Sequence, residues 1–218
     1  MGFKNRKEMS MYIFEEDKNI LLKEHFEKSA EEYRKFWQGL CEKYPGWAVD
    51  LVYRDCDPPA EFITGIGARI LEAHAISSLT NETFNYTNEP SAELVTTENF
   101  HAFAKLHENI DPDFSYPNAK IAKDMSRWRI FMQGNAYTMM SFWNDEPEIF
   151  ILEASSAEDG ASLLATAANH AFSNNKTKLD FFIEVDKPIQ MEAALKVGFT
   201  VHGKSIAYRV DSLCSSNF

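Results

Sequence analysis

Cysteine is scarce in this chain. Cys41, Cys56 and Cys214 are too few and too scattered for a disulfide framework or a cysteine-built zinc site, which suits a reducing, cytoplasmic setting. Long apolar runs are also missing: nothing approaches the roughly 20 consecutive apolar residues of a membrane span. The first fifteen residues mix charges with apolar side chains, unlike a secretory signal, so no membrane attachment is expected. Basic side chains are outnumbered, 22 against 33 acidic, and the formal charge of −11 argues against nucleic acid or an anionic lipid surface as main partner. His74, His101, His107, His170 and His202 show no metal-ligand spacing, so no metal is expected. No serine lies in a G-x-S-x-G turn and no glycine-rich dinucleotide fingerprint occurs.

What is present is 218 residues with 44% hydrophobic content, enough for a sizeable core in one domain or two small ones. Residues 11–14 read as a short strand. Asp17 is placed to cap a long helix to about Lys43, with Tyr33, Trp37, Leu40 and Tyr44 at helical spacing and Pro45-Gly46 as the stop. Residues 47–53 read as a strand, Asp57-Pro58-Pro59 as a loop, 59–64 as a short helix and 68–79 as a strand or short helix. The polar, proline-bearing stretch 81–91 is the expected linker. Beyond it, 92–95 reads as a strand, Thr97 as the cap of a helix through Phe103 and Leu106, Asp111-Pro112-Asp113 as a break, and 121–125 as a helical turn. Residues 128–132, 136–143 and 148–154 form three strand-like runs separated by turn compositions, an antiparallel meander. Residues 160–172 carry one helical apolar stripe.

The stretch 178–210 organises the rest. Residues 179–185 read as a buried strand. Pro188 suits the first turn of a helix whose apolar positions recur up to Gly198, and Gly198 ends it. Residues 199–201 and 206–210 read as two strands, or one bent strand broken at Gly203. This order resembles the C-terminal third of the GNAT acetyltransferase superfamily, whose helix there reads A-x-x-L-Y-x-K-x-G-F. Ala193, Lys196, Gly198 and Phe199 carry the match, with Tyr208 further on. Two positions depart: Ala194 stands where the family has tyrosine, and Lys187 where it has a loop asparagine.

The resemblance implies an α+β fold (α/β/α), a mixed, mostly antiparallel sheet flanked by helices. The expected domains are 92–211 as a GNAT-like domain, 1–80 as a truncated GNAT-like segment that makes the chain a tandem relative, and 212–218 as a loose tail. It also implies acetyl-CoA as cosubstrate and transfer of the acetyl group to an amine on a small molecule or peptide. On that expectation Leu152 and Ala154 border the coenzyme's arm. Ser155, Ala157, Asp159, Gly160 and Ala161 surround its pyrophosphate, where a helix start offers free N–H groups to an anion. Glu153 or Glu184 would serve as base and Tyr208 as acid. Ser156, Glu158 and Asp159 equally read as a helix cap with charges that complement the dipole. A degenerate, non-catalytic binding or interaction protein is the alternative function. An apolar sheet edge at 206–210 would offer a second copy a place to pair as a homodimer.

Overall fold

The structure, a computed structural model, describes residues 10–15, 17–24, 30–55, 60–88, 91–108, 117–142 and 145–213. The expected loop at Asp57-Pro58-Pro59, the break at Asp111-Pro112-Asp113 and nearly all of the expected tail lie outside them, as do Cys56 and Cys214. The described part is α+β, as the sequence suggests, and divides into two compact units, residues 1–74 with 203–218, and residues 75–202.

The first unit opens with β1 (Ser10–Phe14) and β2 (Asn19–Glu24), an antiparallel pair. The expected helix from Asp17 does not form at its start. Ile20 and Leu22 alternate into the core while Leu21 does not, which is strand behaviour, and a short apolar run has either reading until its neighbours decide. The helix proper is α1 (Ala30–Lys43), burying Tyr33, Trp37 and Leu40. β3 (Ala48–Arg54) follows, then α2 (Ala60–Gly65) and β4 (Arg69–Thr80), which runs on into the second unit. β2 and β3 are parallel and paired from Asn19↔Ala48 to Glu24↔Tyr53, without a gap. α1 and α2 supply Tyr33, Trp37, Phe62 and Ile63 to one core with Val49, Leu51 and Tyr53.

The second unit contains β5 (Glu93–Leu94), α3 (Phe100–His107), α4 (Asn118–Lys123), β6 (Trp128–Gln133), β7 (Ala136–Ser141), β8 (Glu148–Glu153), α5 (Ala157–Ser173), β9 (Lys178–Glu184) and α6 (Pro188–Val197). Its strand order is β9-β8-β7-β6-β5, with the end of β4 beside β9, where the Ser77 hydroxyl donates to the Phe181 carbonyl at 2.9 Å. One face is covered by α5 and α6, whose alanines meet Leu152, Leu179, Phe181 and Ile183. Phe103 of α3 and Ile121 of α4 cover Ile130, Tyr137, Met139 and Ile151 on the other. Asn99, not Thr97, precedes α3, and its side chain accepts from the Thr96 N–H.

The chain ends in β10 (Thr200–Val210), one strand that passes through Gly203 unbroken. From Ser205 to Val210 it pairs antiparallel with β3, so the edge expected at 206–210 is already taken within the first unit. Leu213 then ties back to Trp47. The compact units thus follow the chain differently from the expected domain limits: residues 203–213 group with the first unit. Nor are residues 81–88 a free connector. Phe84 and Tyr86 pack on the second unit's core, and the Asn85 N–H donates to the Val197 carbonyl at 3.2 Å.

Candidate functional site

The site begins with an irregularity in β8. Met139 faces Ile151 and Met140 faces Ile149, so β8 carries one extra residue, Phe150, against β7. Such a bulge bends its strand. β8 and β9 are parallel neighbours only at Glu148↔Asp180 and Ile149↔Phe181; past the bulge, residues 150–153 and 182–184 are no longer paired with one another. The two strands split open toward their C-terminal ends.

Gln190 of α6 fills the wedge. It is 4% exposed; its Nε2 donates to the Leu152 carbonyl at 3.1 Å, and its Oε1 accepts from the Glu184 N–H at 3.1 Å. A single side-chain amide thus satisfies backbone groups on both strands, which would otherwise be left without partners in a buried place.

At the mouth of the split lies Lys187, its Nζ 2.9 Å from Glu153 Oε1 and 3.0 Å from Glu184 Oε1. Burial acts against the ammonium, yet the hydrogen bonds and charges of Glu153 and Glu184 outweigh it and raise Lys187 above the usual lysine value. The group carries one positive and two negative charges. Glu153 pairs across the ladder with Tyr137, whose hydroxyl lies 2.9 Å from His107 Nδ1. Burial first, then the Glu153 charge, push Tyr137 well above an ordinary phenol, so it holds its proton. Beside this group is a cavity of about 220 Å³, lined by residues 152–154 and 186–190. That is smaller than the roughly 300–1,000 Å³ pockets that hold drug-sized ligands.

The start of α5 closes on itself. Ser156 caps it, its Oγ accepting from the Asp159 N–H at 3.1 Å and donating to Asp159 Oδ2 at 2.8 Å. The Gly160 N–H donates to the Ser156 carbonyl, and the Glu158 carboxylate engages Lys196. The Lys196 hydrogen bond is the main reason Glu158 sits below the ordinary carboxylate range. Of the donors between Ala157 and Ala161, those of Asp159 and Gly160 therefore have partners. Gly160 is a glycine for packing: a Cβ there would meet the Ala193 Cβ of α6 at 2.9 Å.

Glu153, Glu184, Leu152 and Ala154 are thus gathered around the split, while Asp159, Gly160, Ala157 and Ala161 are engaged in the capped turn or the helix packing, after Ser155 in the connecting loop. Tyr208 belongs to the first unit, edge-on to Tyr53 with ring centroids 6.0 Å apart. Gln190, Lys187, Tyr137 and His107 were not among the expected site residues. Counting back from Gly198 through the GNAT helix pattern places its leading alanine at Gln190 and its leucine at Ala193, which corrects the match assigned to Ala193 and leaves Lys196, Gly198 and Phe199 to carry it. Among the described residues no three histidine, cysteine or acidic side chains converge as metal ligands, and no helix is long and apolar enough to cross a membrane.

No protein-family model and no curated protein matches the chain. Solved structures do. It is similar to a GCN5-related N-acetyltransferase from Sphaerobacter thermophilus, at TM-score 0.67 and 9% identity over 93% of this chain and 75% of that one. A functionally unknown conserved protein from Staphylococcus epidermidis gives TM-score 0.67 and 10% identity over 97% and 94%. A tandem GNAT protein from the clavulanic acid biosynthesis pathway gives 0.58 and 9% over 97% and 80%. Together with the mixed sheet, the bulged β8 and its split from β9, these likenesses establish that the chain has the fold of the GNAT acetyltransferases.

Proposed function

We propose that this is a non-catalytic GNAT-fold binding protein, one that does not use acetyl-CoA. The observation that carries this reading is the self-closed start of α5. An anion site at a helix N-terminus needs free N–H groups and tolerates little negative charge. Here Ser156 takes the Asp159 N–H, and the carboxylates of Glu158 and Asp159 stand where a pyrophosphate would bring its own charge. The described residues offer a ligand the small cavity at the split, with its net negative trio of Glu153, Lys187 and Glu184.

A specific observation favours a second reading, acetyl transfer from acetyl-CoA to a small-molecule or peptide amine. The strands do split, and Glu153 stands at the end of β8 beside the cavity. In that reading Glu153, or Glu184, takes the amine's proton, while Leu152, Ala154, Ser155, Ala157, Asp159, Gly160 and Ala161 hold the coenzyme; Tyr208, the expected acid, is packed on Tyr53 in the first unit and has no part in it. Glu153 would first have to leave Lys187. Both readings accommodate a tandem origin. The run β2-α1-β3-α2-β4 repeats as β8-α5-β9-α6-β10 with a parallel strand pair in each, closed in the first and split in the second. A cytoplasmic location belongs to the same proposal.

Thermal unfolding with and without saturating acetyl-CoA separates the readings, because a ligand bound only by the folded state raises the midpoint. No shift is expected. A clear rise, accompanied by release of free thiol in the presence of a polyamine, would establish the second reading.

A further inference from the structure

A chain inserted between two separated parallel strands must accept a hydrogen bond from one and donate to the other. Gln190 does both, taking the Glu184 N–H on its Oε1 and giving its Nε2 to the Leu152 carbonyl. A secondary amide, –CO–NH–, presents the same donor and acceptor. The cavity beside Gln190 has apolar lining from Leu152, Ala154, Pro188 and Ile189, suited to the methylenes between two amides, and charged lining from Glu153, Asp186 and Lys187. We propose that Gln190 bars the split to an extended, amide-bearing ligand by standing in for that ligand's own amide. Removing its side chain opens a slot one chain wide, with one acceptor on β8 and one donor on β9. The inference rests on the reading above, in which the capped, acidic start of α5 does not hold a pyrophosphate.

Calorimetric titration of the full chain and of Gln190→Ala tests it with pantetheine, a linear molecule with two secondary amides, and with coenzyme A, the same arm bearing a pyrophosphate. The wild type is expected to bind neither. Gln190→Ala should bind pantetheine at least tenfold more tightly than the wild type does, and coenzyme A no more tightly than pantetheine. Gln190→Met loses the same hydrogen bonds but keeps the volume, and should bind no pantetheine. Should Gln190→Ala not fold, Gln190→Asn, which cannot span both partners, is judged by the same comparison with the wild type. A folded variant with no gain for pantetheine overturns the proposal, as does an equal gain in Gln190→Met, which would make general loosening responsible. Coenzyme A binding to the wild type would instead overturn the reading of α5.

Discussion

Replacing Lys187 by methionine would leave Glu153 and Glu184 facing one another without the cation between them. Each now has an oxygen within 3.0 Å of the same nitrogen. At the roughly 6 Å separation this allows, two like charges repel by about 3 kcal/mol at an effective dielectric of ~20, and by under ~1 kcal/mol in bulk water. Their side chains are 28% and 40% exposed, so solvent screening sets the expected loss at about 1–2 kcal/mol. Urea unfolding at pH 7 reads it directly, and Lys187→Met combined with Glu153→Gln should recover most of it. The pH arm has a definite sign. Because Lys187 is raised in the folded protein, its bridges contribute fully below the unfolded lysine value of about 10.4 and are lost as pH rises through the higher folded value. The stability difference between wild type and Lys187→Met should therefore be constant at neutral pH and shrink only above about pH 10.4. A variant as stable as the wild type at pH 7, or a difference that does not shrink at alkaline pH, would refute the reasoning.

Ser156→Ala removes the cap of α5 and should cost about 1 kcal/mol in urea unfolding, the usual value of an N-cap. Gly160→Ala gains about 1 kcal/mol of helix propensity but drives a methyl into Ala193, an overpacking cost of about 1–3 kcal/mol; a net fall in the thermal midpoint is expected. Gly198→Ala meets both a φ of 104° and the Thr83 carbonyl, and should lose on the order of 3 kcal/mol or more, read as a large drop in midpoint.

The last third of the chain was legible because its local signals agree with its packing. Pro188 stands at the first turn of α6, and Gly198 ends it in the left-handed conformation that a side chain resists. α5 was readable from its apolar stripe, though it begins one turn earlier than Gly160 because Ser156 caps it. β2 was not, since Ile20 and Leu21 fit a helix that extends α1 as well as they fit a strand; the turn through Lys18, at φ 45°, decides it. At the site, Glu153 and Glu184 were readable from strand order. Gln190 was opaque on composition alone: a polar residue in a helix ordinarily faces water, and only the split between β8 and β9 makes a buried amide useful there. Tyr208, expected as the acid from its place near a strand end, finds its ring partner in Tyr53, a packing that its place in the sequence does not reveal.

The position of β10 sets the timetable of biosynthesis. β3 acquires its antiparallel neighbour only when the chain has been translated through Val210, whereas residues 75–202 form an uninterrupted segment. On the ribosome the part made first is finished last: 48–54 waits with one flank uncovered while the whole later body assembles, and a nascent chain halted before 205 leaves that flank available to strand-seeking chaperones or to a neighbouring polysome product.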